Sequence, residues 1–260
     1  MKKAKRRVRR LIFLFIVAGL ALGLFMLLYA PIFSISYIEV SGSTRYSEEV
    51  IKEMSGLKIG QNGYRGLKLS ASSLFELRLL DSEKSINRLP YVKDSRVSLV
   101  FPNGVSIKIT ERQPAAYIRY LDNYLTVDGE GYVLESGNSV PGQDLKEIRG
   151  IDFSKYTIGG PLEASNTELI RVAVSIINAV KSSDVNSELK LYSVLDWIDI
   201  TDRNNALLSL DNRIIVRFDP DDKLQYKIDF TKEIFFKKLN SKEEGRLEFT
   251  ENQNPSFIPR

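Results

Sequence analysis

Few side-chain types carry chemistry in proteins, and two of the most versatile are missing here: the chain has no cysteine and no histidine. Without histidine it lacks the commonest general base near neutral pH and the commonest metal ligand. Without cysteine there is no disulfide framework, thiolate nucleophile or thiolate metal site. Ser-His-Asp, Cys-His and HExxH machinery are therefore excluded. What remains is Ser, Lys, Asp, Glu and Tyr. The Ser-x-x-Lys spacing that sets a hydroxyl beside an amine in penicillin-binding enzymes occurs at Ser55–Lys58 and Ser187–Lys190. With 26 serines and 19 lysines, about two such pairs arise by chance. Neither Ser-Asp-Asn nor Lys-Thr-Gly follows them. A membrane-anchored, extracytoplasmic envelope enzyme with a Ser/Lys dyad is thus the alternative to a non-catalytic reading.

Other candidates are equally spare. Asp219, Asp221 and Asp222 flank Pro220 but lack the alternating ligands, central Gly and final Glu of a calcium loop. Acids ahead of a helix complement its N-terminal dipole, which is the simpler reading. Gly60, Gly63 and Gly66 are irregularly spaced, with no Lys-Ser/Thr after them, so they permit a loop and do not cradle phosphate. Trp197, the lone tryptophan, falls on an expected strand and reads as core, not as a ligand platform. No catalytic, metal or cofactor-binding residue is assigned, and no cofactor is expected.

The elements around these residues begin with a membrane signal. Residues 11–30, LIFLFIVAGLALGLFMLLYA, contain no charge, and 20 helical residues reach about 30 Å, the thickness of a hydrocarbon core. Tyr29, Pro31 and Phe33 spoil the small-x-small site that follows a cleaved signal peptide, so the segment reads as a retained transmembrane helix. Lys2, Lys3, Lys5, Arg6, Arg7, Arg9 and Arg10 precede it. Such a cluster holds an N-terminus in the cytoplasm, which places everything after Pro31 outside. The whole chain has 37 basic and 33 acidic residues; beyond position 10 the balance is 30 against 33, or −3. A mildly acidic exported part has no footprint for a polyphosphate backbone, and no nucleic-acid partner or small-molecule substrate is expected.

Past the membrane, Ile35–Val40 alternates as a strand. Ser47 starts a helix with Glu48 and Glu49 in its first turn, and Gly56 ends it. Ser73 and Glu76 have capping-box spacing for a second, broken helix through Leu74, Leu77, Leu80, Ile86 and Leu89. Val97, Leu99 and Phe101, a turn at Pro102-Asn103-Gly104, then Val105, Ile107 and Ile109 spell a β-hairpin with one buried face. Beyond it come short strands at 117–120, 124–127 and 132–134 and an amphipathic helix at 167–181. Strands at 194–201, 206–210 and 213–218 follow, with Asp211-Asn212 turning between the last two. A helix at 224–239 and a strand at 247–250 complete the series.

A strand-helix-helix-strand-strand order that ends in Glu111-Arg112-Gln113-Pro114, just after a single anchor, resembles the POTRA domain of the FtsQ/DivIB family of bacterial cell division proteins. LPYVKDSRVSLVFPNGVSIKITERQPAAYI (Leu89–Ile118) looks like the family's hairpin block. YLTVDGEGYVLE (Tyr124–Glu135) is similar to its next hairpin, and IRGID (Ile148–Asp152) to the segment after it. The expectation is therefore an α+β protein: a basic cytoplasmic N-terminus (1–10), one N-terminal transmembrane helix (11–30) and a β-α-α-β-β POTRA domain (33–113). A second β-rich extracytoplasmic domain with two helices (114–250) and a flexible C-terminal tail (251–260) follow.

The resemblance implies a non-catalytic bitopic scaffold of the divisome, concentrated at the division septum. Its partners would be FtsB/DivIC-like and FtsL-like single-pass proteins and, indirectly, the septal peptidoglycan synthase. It implies that Gly245, Arg246, Leu247, Glu248, Phe249 and Thr250, with the helix before them, receive a partner by strand addition, because an edge strand offers unpaired N–H and C=O groups. It also marks Glu111, Arg112 and Pro114 as a structural domain-junction motif, with Pro114 ending a strand. A POTRA receptor that feeds an outer-membrane barrel needs about 10–16 long amphipathic strands, and these do not fit after position 114.

Overall fold

The computed structural model describes residues 2–142, 144–164, 166–220, 223–249 and 255–260, with side chains from residue 11 onward. The basic side chains of Lys2 to Arg10 and the residue Thr250 thus lie outside the description. Contacts divide the chain into Met1–Glu111 and Arg112–Arg260.

The first unit opens with helix α1 (Lys2–Tyr29), in which Leu11–Tyr29 is long and apolar enough to cross a membrane. A 3-10 turn (Pro31–Phe33) leads to β1 (Tyr37–Ser41), α2 (Glu48–Ser55), a second 3-10 turn (Gly63–Gly66), α3 (Ala71–Phe75), α4 (Leu80–Ile86), β2 (Val92–Val100) and β3 (Gly104–Glu111). The three strands are ordered β1-β3-β2. The β2–β3 pair is the antiparallel hairpin, and β1 lies parallel to β3 from Tyr37↔Gly104 to Ser41↔Lys108. A Cβ at Gly104 would lie 2.4 Å from the Tyr37 ring, so a larger residue there requires that exposed ring to move.

Alternation along β2 and β3 buries Val97, Val105 and Ile107 completely, against Ile51 of α2 and Ile86 of α4. Phe101 departs from the expected buried face. Strand β2 ends at Val100, the chain turns, and the ring is 71 % exposed. The broken helix is also capped one turn earlier than expected. The Ser70 hydroxyl accepts from the Ser73 amide and starts α3, while Ser73 is buried, donating to the Arg78 carbonyl and accepting from the Lys68 amide. Leu77 sits in the left-handed region between α3 and α4, which is what breaks the helix. One charge is buried here: Glu83 of α4 takes both arms of Arg78 at 2.9 and 2.8 Å and the Val97 amide at 2.9 Å. A buried charge is tolerable only when its lone pairs are filled in this way.

The second unit contains β4 (Pro114–Tyr120), β5 (Asn123–Asp128), β6 (Val133–Gly137), β7 (Glu147–Arg149), β8 (Phe153–Lys155), β9 (Glu163–Ala164), α5 (Glu168–Asp184) and α6 (Leu191–Val194). After these come β10 (Leu195–Asp199), β11 (Ala206–Leu210), β12 (Ile214–Phe218), α7 (Leu224–Lys237), β13 (Gly245–Phe249) and β14 (Pro255–Pro259). Nine of the strands form one sheet ordered β14-β13-β12-β11-β10-β7-β4-β5-β6. It is spliced from two antiparallel meanders, β4-β5-β6 and β10-β11-β12, by the three-residue β7, which is parallel to both β4 and β10.

Helix α5 buries Ile170, Ala173, Ile176, Ile177 and Val180 in the core of this unit, and α7 adds Ile228 and Phe235. That stripe is the period-3.6 pattern of its sequence. The single-turn α6 adds to the two helices expected. Asp211 and Asn212 both take positive φ, at 54° and 52°, as the tight turn between β11 and β12 demands. The acids near Pro220 do not begin the next helix. Helix α7 starts at Leu224, with Lys223 at the N-cap position making no side-chain cap and no acid in its first turn; Asp221 and Asp222 lie outside the described residues.

The C-terminal end of this sheet differs from expectation in two linked ways. Residues 255–259 are not a loose tail; they form β14, antiparallel to β13 from Gly245↔Pro259 to Phe249↔Pro255. Strand β13 is consequently not a sheet edge, since it is bonded to β12 on one side and β14 on the other. The physical cause is Phe257. It stands opposite Leu247 on the core face and packs into the same core, so the last residues gain apolar burial along with their backbone bonds.

Candidate functional site

The two Ser-x-x-Lys pairs can be judged from their hydroxyls. Ser55 is buried, and its Oγ donates to the Lys52 carbonyl at 2.6 Å and accepts from the Leu57 amide. Ser187 Oγ accepts from the Leu189 amide, while the Lys190 amine donates to the Asp184 carbonyl at 2.9 Å. Each hydroxyl serves local backbone and neither meets the amine of its own motif, so no activated nucleophile is assembled. Trp197 lies on β10, half-buried, with the Arg149 guanidinium 4.4 Å above its ring.

A cleft of about 640 Å³ in the second unit gathers Asp144, Lys146, Lys181, Asp184, Lys190, Tyr192 and Ser193. Its groups are committed internally. The two carboxylate oxygens of Asp184 accept the amides of Leu191 and Tyr192, and the Tyr192 hydroxyl donates to the Asp144 carbonyl. Burial, with the nearby Asp144 charge, pushes the Tyr192 phenol up to about 12. A phenol held protonated this firmly is no general base.

The junction motif proves to be two separate devices made by neighbouring residues. Glu111, the last residue of β3, folds its carboxylate over the loop after β1. It accepts from the Thr44 amide at 2.7 Å, the Arg45 amide at 2.8 Å, the Thr44 hydroxyl at 2.6 Å and the Ser43 hydroxyl at 3.2 Å. Burial raises its pKa, but these four donors outweigh burial and hold the carboxyl below the usual glutamate value.

Arg112 is buried within the second unit. Its Nη1 donates to Asp128 at 2.6 Å and Glu130 at 3.1 Å, and its guanidinium lies 3.4 Å over the Tyr132 ring. The other oxygen of Asp128 accepts the Glu130 and Tyr132 amides, which closes the β5–β6 turn. Pro114 does not end a strand; it opens β4, opposite Asp128, where its missing N–H is least costly. Sequence reasoning missed Asp128, Glu130 and Tyr132 as partners of Arg112, although the Asp-Gly-Glu-Gly-Tyr turn signal that carries them is plain.

Of the six residues expected to receive a partner strand, Gly245 to Phe249 form β13, and Thr250 lies outside the described residues. Leu247 is buried, and Phe249 packs its ring 6.3 Å from Phe218, so both face the core. Arg246 and Glu248 point the other way and pair with each other at 3.1 Å.

An apolar N-terminal helix of membrane-spanning length, a unit of three strands with helices α2, α3 and α4 between β1 and β2, and a β-rich unit closed at its C-terminus by strand pairing give the architecture of a POTRA-containing α+β protein. The family model described as "POTRA domain, FtsQ-type" matches residues 33–112. Among curated relatives, the cell division protein DivIB of Clostridium botulinum strain Hall is 23% identical over 99% of this chain and 93% of its own length. FtsQ of Corynebacterium glutamicum is 27% identical over 66% of this chain and 68% of its own. DivIB of Clostridium acetobutylicum is 30% identical over 62% and 64%. The solved major extracytoplasmic domain of DivIB from Geobacillus stearothermophilus is only slightly similar, with a TM-score of 0.31 at 12% identity over 50% of this chain and 99% of that one. The chain thus carries an FtsQ-type POTRA domain at residues 33–112 and is similar along its length to FtsQ and DivIB cell division proteins.

Proposed function

We propose that this protein is a non-catalytic, bitopic scaffold of the bacterial division machinery at the septum. Lys2 to Arg10 keep its N-terminus in the cytoplasm, and its two exported units bind other single-pass division proteins of the FtsB/DivIC and FtsL types, through which it acts on septal peptidoglycan synthesis. The supporting observation is the C-terminal end of the nine-stranded sheet. There β13 is covered by a strand of only five residues, in which Ser256 and Ile258 stand at the bonding positions and Pro255 and Pro259 turn their ring nitrogens to the outer edge. A longer partner strand makes a longer ladder along this end of the sheet than the five residues of β14 do. The partner therefore enters by strand exchange: it replaces β14 on residues 245–249.

The chain has no cysteine, so a clean lock is available. Arg246 and Ile258 stand opposite each other; the pair Arg246→Cys with Ile258→Cys sits at cross-strand disulfide spacing. Oxidation should abolish capture of a purified FtsB/DivIC-type ectodomain by the full chain, and reductant should restore it. Deletion of residues 255–260 should tighten binding by about tenfold or more, because the competing strand is gone. Undiminished binding by the oxidised double variant would overturn strand exchange. Phe249→Lys is a poor probe, since that ring packs against Phe218 and its loss disturbs the fold itself.

A further inference from the structure

Where the apolar helix ends, the first unit folds back onto it. Asn62 donates from its side-chain amide to the Leu27 carbonyl at 3.0 Å, and Arg65 Nε donates to the Leu28 carbonyl at 2.9 Å. These carbonyls belong to the last turn of α1, which has no onward helical partner. The Arg65 guanidinium also lies 4.4 Å over the Tyr29 ring. Among the described residues no carboxylate stands within 4.0 Å of Arg65, so its terminal nitrogens point to no internal anion. A cleft of about 480 Å³ opens beside it, lined by Tyr29, Ser34, Gln61, Asn62 and Arg65.

An apolar rim continues from this cleft. Ile32, three residues past Tyr29, is 62 % exposed, and Phe33 sets its ring 6.1 Å from that of Phe101 at the hairpin tip. Ile59, 62 % exposed, occupies the turn whose Gly60 amide donates to the Ile35 carbonyl. Three large apolar side chains thus lie exposed around the point where α1 enters the unit.

We propose that this rim is a membrane-docking site on the first unit. Arg65 binds the phosphodiester of a phospholipid headgroup, and Ile32, Ile59 and Phe101 enter the interfacial layer around it. The proposal rests on the reading of Leu11–Tyr29 as the membrane span. Nineteen helical residues reach about 28 Å, which sets Tyr29 at the boundary between acyl chains and headgroups. Arg65 is hydrogen-bonded to the Leu28 carbonyl and stacked on the Tyr29 ring, so its guanidinium lies at that boundary, next to the headgroup phosphates. Ile32 is at most about 11 Å further along the chain. An arginine stacked on an interfacial tyrosine, with its terminal N–H groups open, matches the fork geometry that phosphate oxygens accept. The apolar rim is continuous with the span, which is why lipid is the occupant and not a soluble partner.

The full chain, reconstituted in vesicles of equal phosphatidylcholine and phosphatidylglycerol, tests this with single cysteines. A fluorophore on Lys58→Cys, beside Ile59, should be quenched by headgroup-nitroxide lipid. Added to that variant, Arg65→Glu or Phe101→Glu should lower the docked-to-undocked ratio about fivefold, while Arg65→Lys, which keeps the charge, should retain most of it. Phe101→Glu lies at an exposed tip and leaves the helix-end hydrogen bonds intact, so it reads docking apart from folding. Quenching unchanged by both glutamate variants would overturn the proposal, as would its release by inorganic phosphate in place of lipid. A second fluorophore on Ala18→Cys reports the span alone. Quenching there by acyl-chain nitroxide without quenching at position 58 defeats the docking site and spares the anchor. Failure at position 18 defeats the anchor itself.

Discussion

The two units solve the same problem, a sheet with one face on the core, at very different sequence distances. In the first unit the β2–β3 hairpin forms almost from neighbours in sequence, and β1 simply adds beside β3. In the second unit two such meanders, β4-β5-β6 and β10-β11-β12, are joined only through the three-residue β7, and the far edge is closed by the last residues of the chain. The difference teaches where each unit is vulnerable. The first depends on the loops that hold its short elements together. The second depends on a few points where distant segments meet, and one of those points decides whether β13 is an edge of the sheet.

Glu111 and Arg112 reverse that contrast in sequence distance. The carboxylate of Glu111 reaches back to the loop at residues 43–45 of the first unit while remaining partly exposed, whereas Arg112 reaches forward only as far as the turn after β5. The guanidinium of Arg112 is buried against Asp128, a turn of the second unit. Adjacent charges therefore serve different units in different ways, and substitutions can separate them.

The largest effect expected is that of Arg112→Ala. It strands Asp128 as a buried charge without its partner, and breaking such a pair costs about 3–5 kcal/mol. Hydrogen exchange on the full chain should show protection lost through the second unit and kept in β1–β3; equal loss in both would break the comparison. Ile148→Ala comes next. This side chain is 1 % exposed at the centre of β7, and the cavity should cost about 2–4 kcal/mol. Amides of the β4-β5-β6 and β10-β11-β12 meanders should exchange faster together, because the splice serves both. Protection lost on one side alone would show that the meanders stand independently.

Glu111→Gln should be smaller, about 1–3 kcal/mol, because it weakens charge-assisted hydrogen bonds at a partly exposed site. Its signature is in pH. The folded carboxyl is held below its unfolded value of about 4.3, so its stabilisation is complete above that value and is lost as pH falls through the lower folded value. The wild-type first unit should weaken over that acid range, and Glu111→Gln should flatten the dependence in thermal unfolding followed by circular dichroism. An unchanged acid limb would remove Glu111 from the loop's stability.

Read from residues alone, the chain disclosed its membrane-length apolar helix, the β2–β3 hairpin, helices α2, α5 and α7, and the Asp211-Asn212 turn. Each is written in contiguous spacing: an uncharged run, an alternation or a 3.6-residue stripe. The lack of histidine and cysteine was equally plain and closed off whole classes of chemistry. Tertiary structure alone decided that Arg112 pairs with Asp128, that β7 splices two meanders, that Phe101 is bare at a tip, and that β14 covers β13. The last was hidden because PSFIP has too few residues and too many prolines to signal a strand. It becomes one only because β13 supplies a ladder and the core accepts Phe257, and both lie elsewhere in the chain. Local physics is legible in a sequence; pairing between distant segments is settled by which apolar faces find each other when the chain closes.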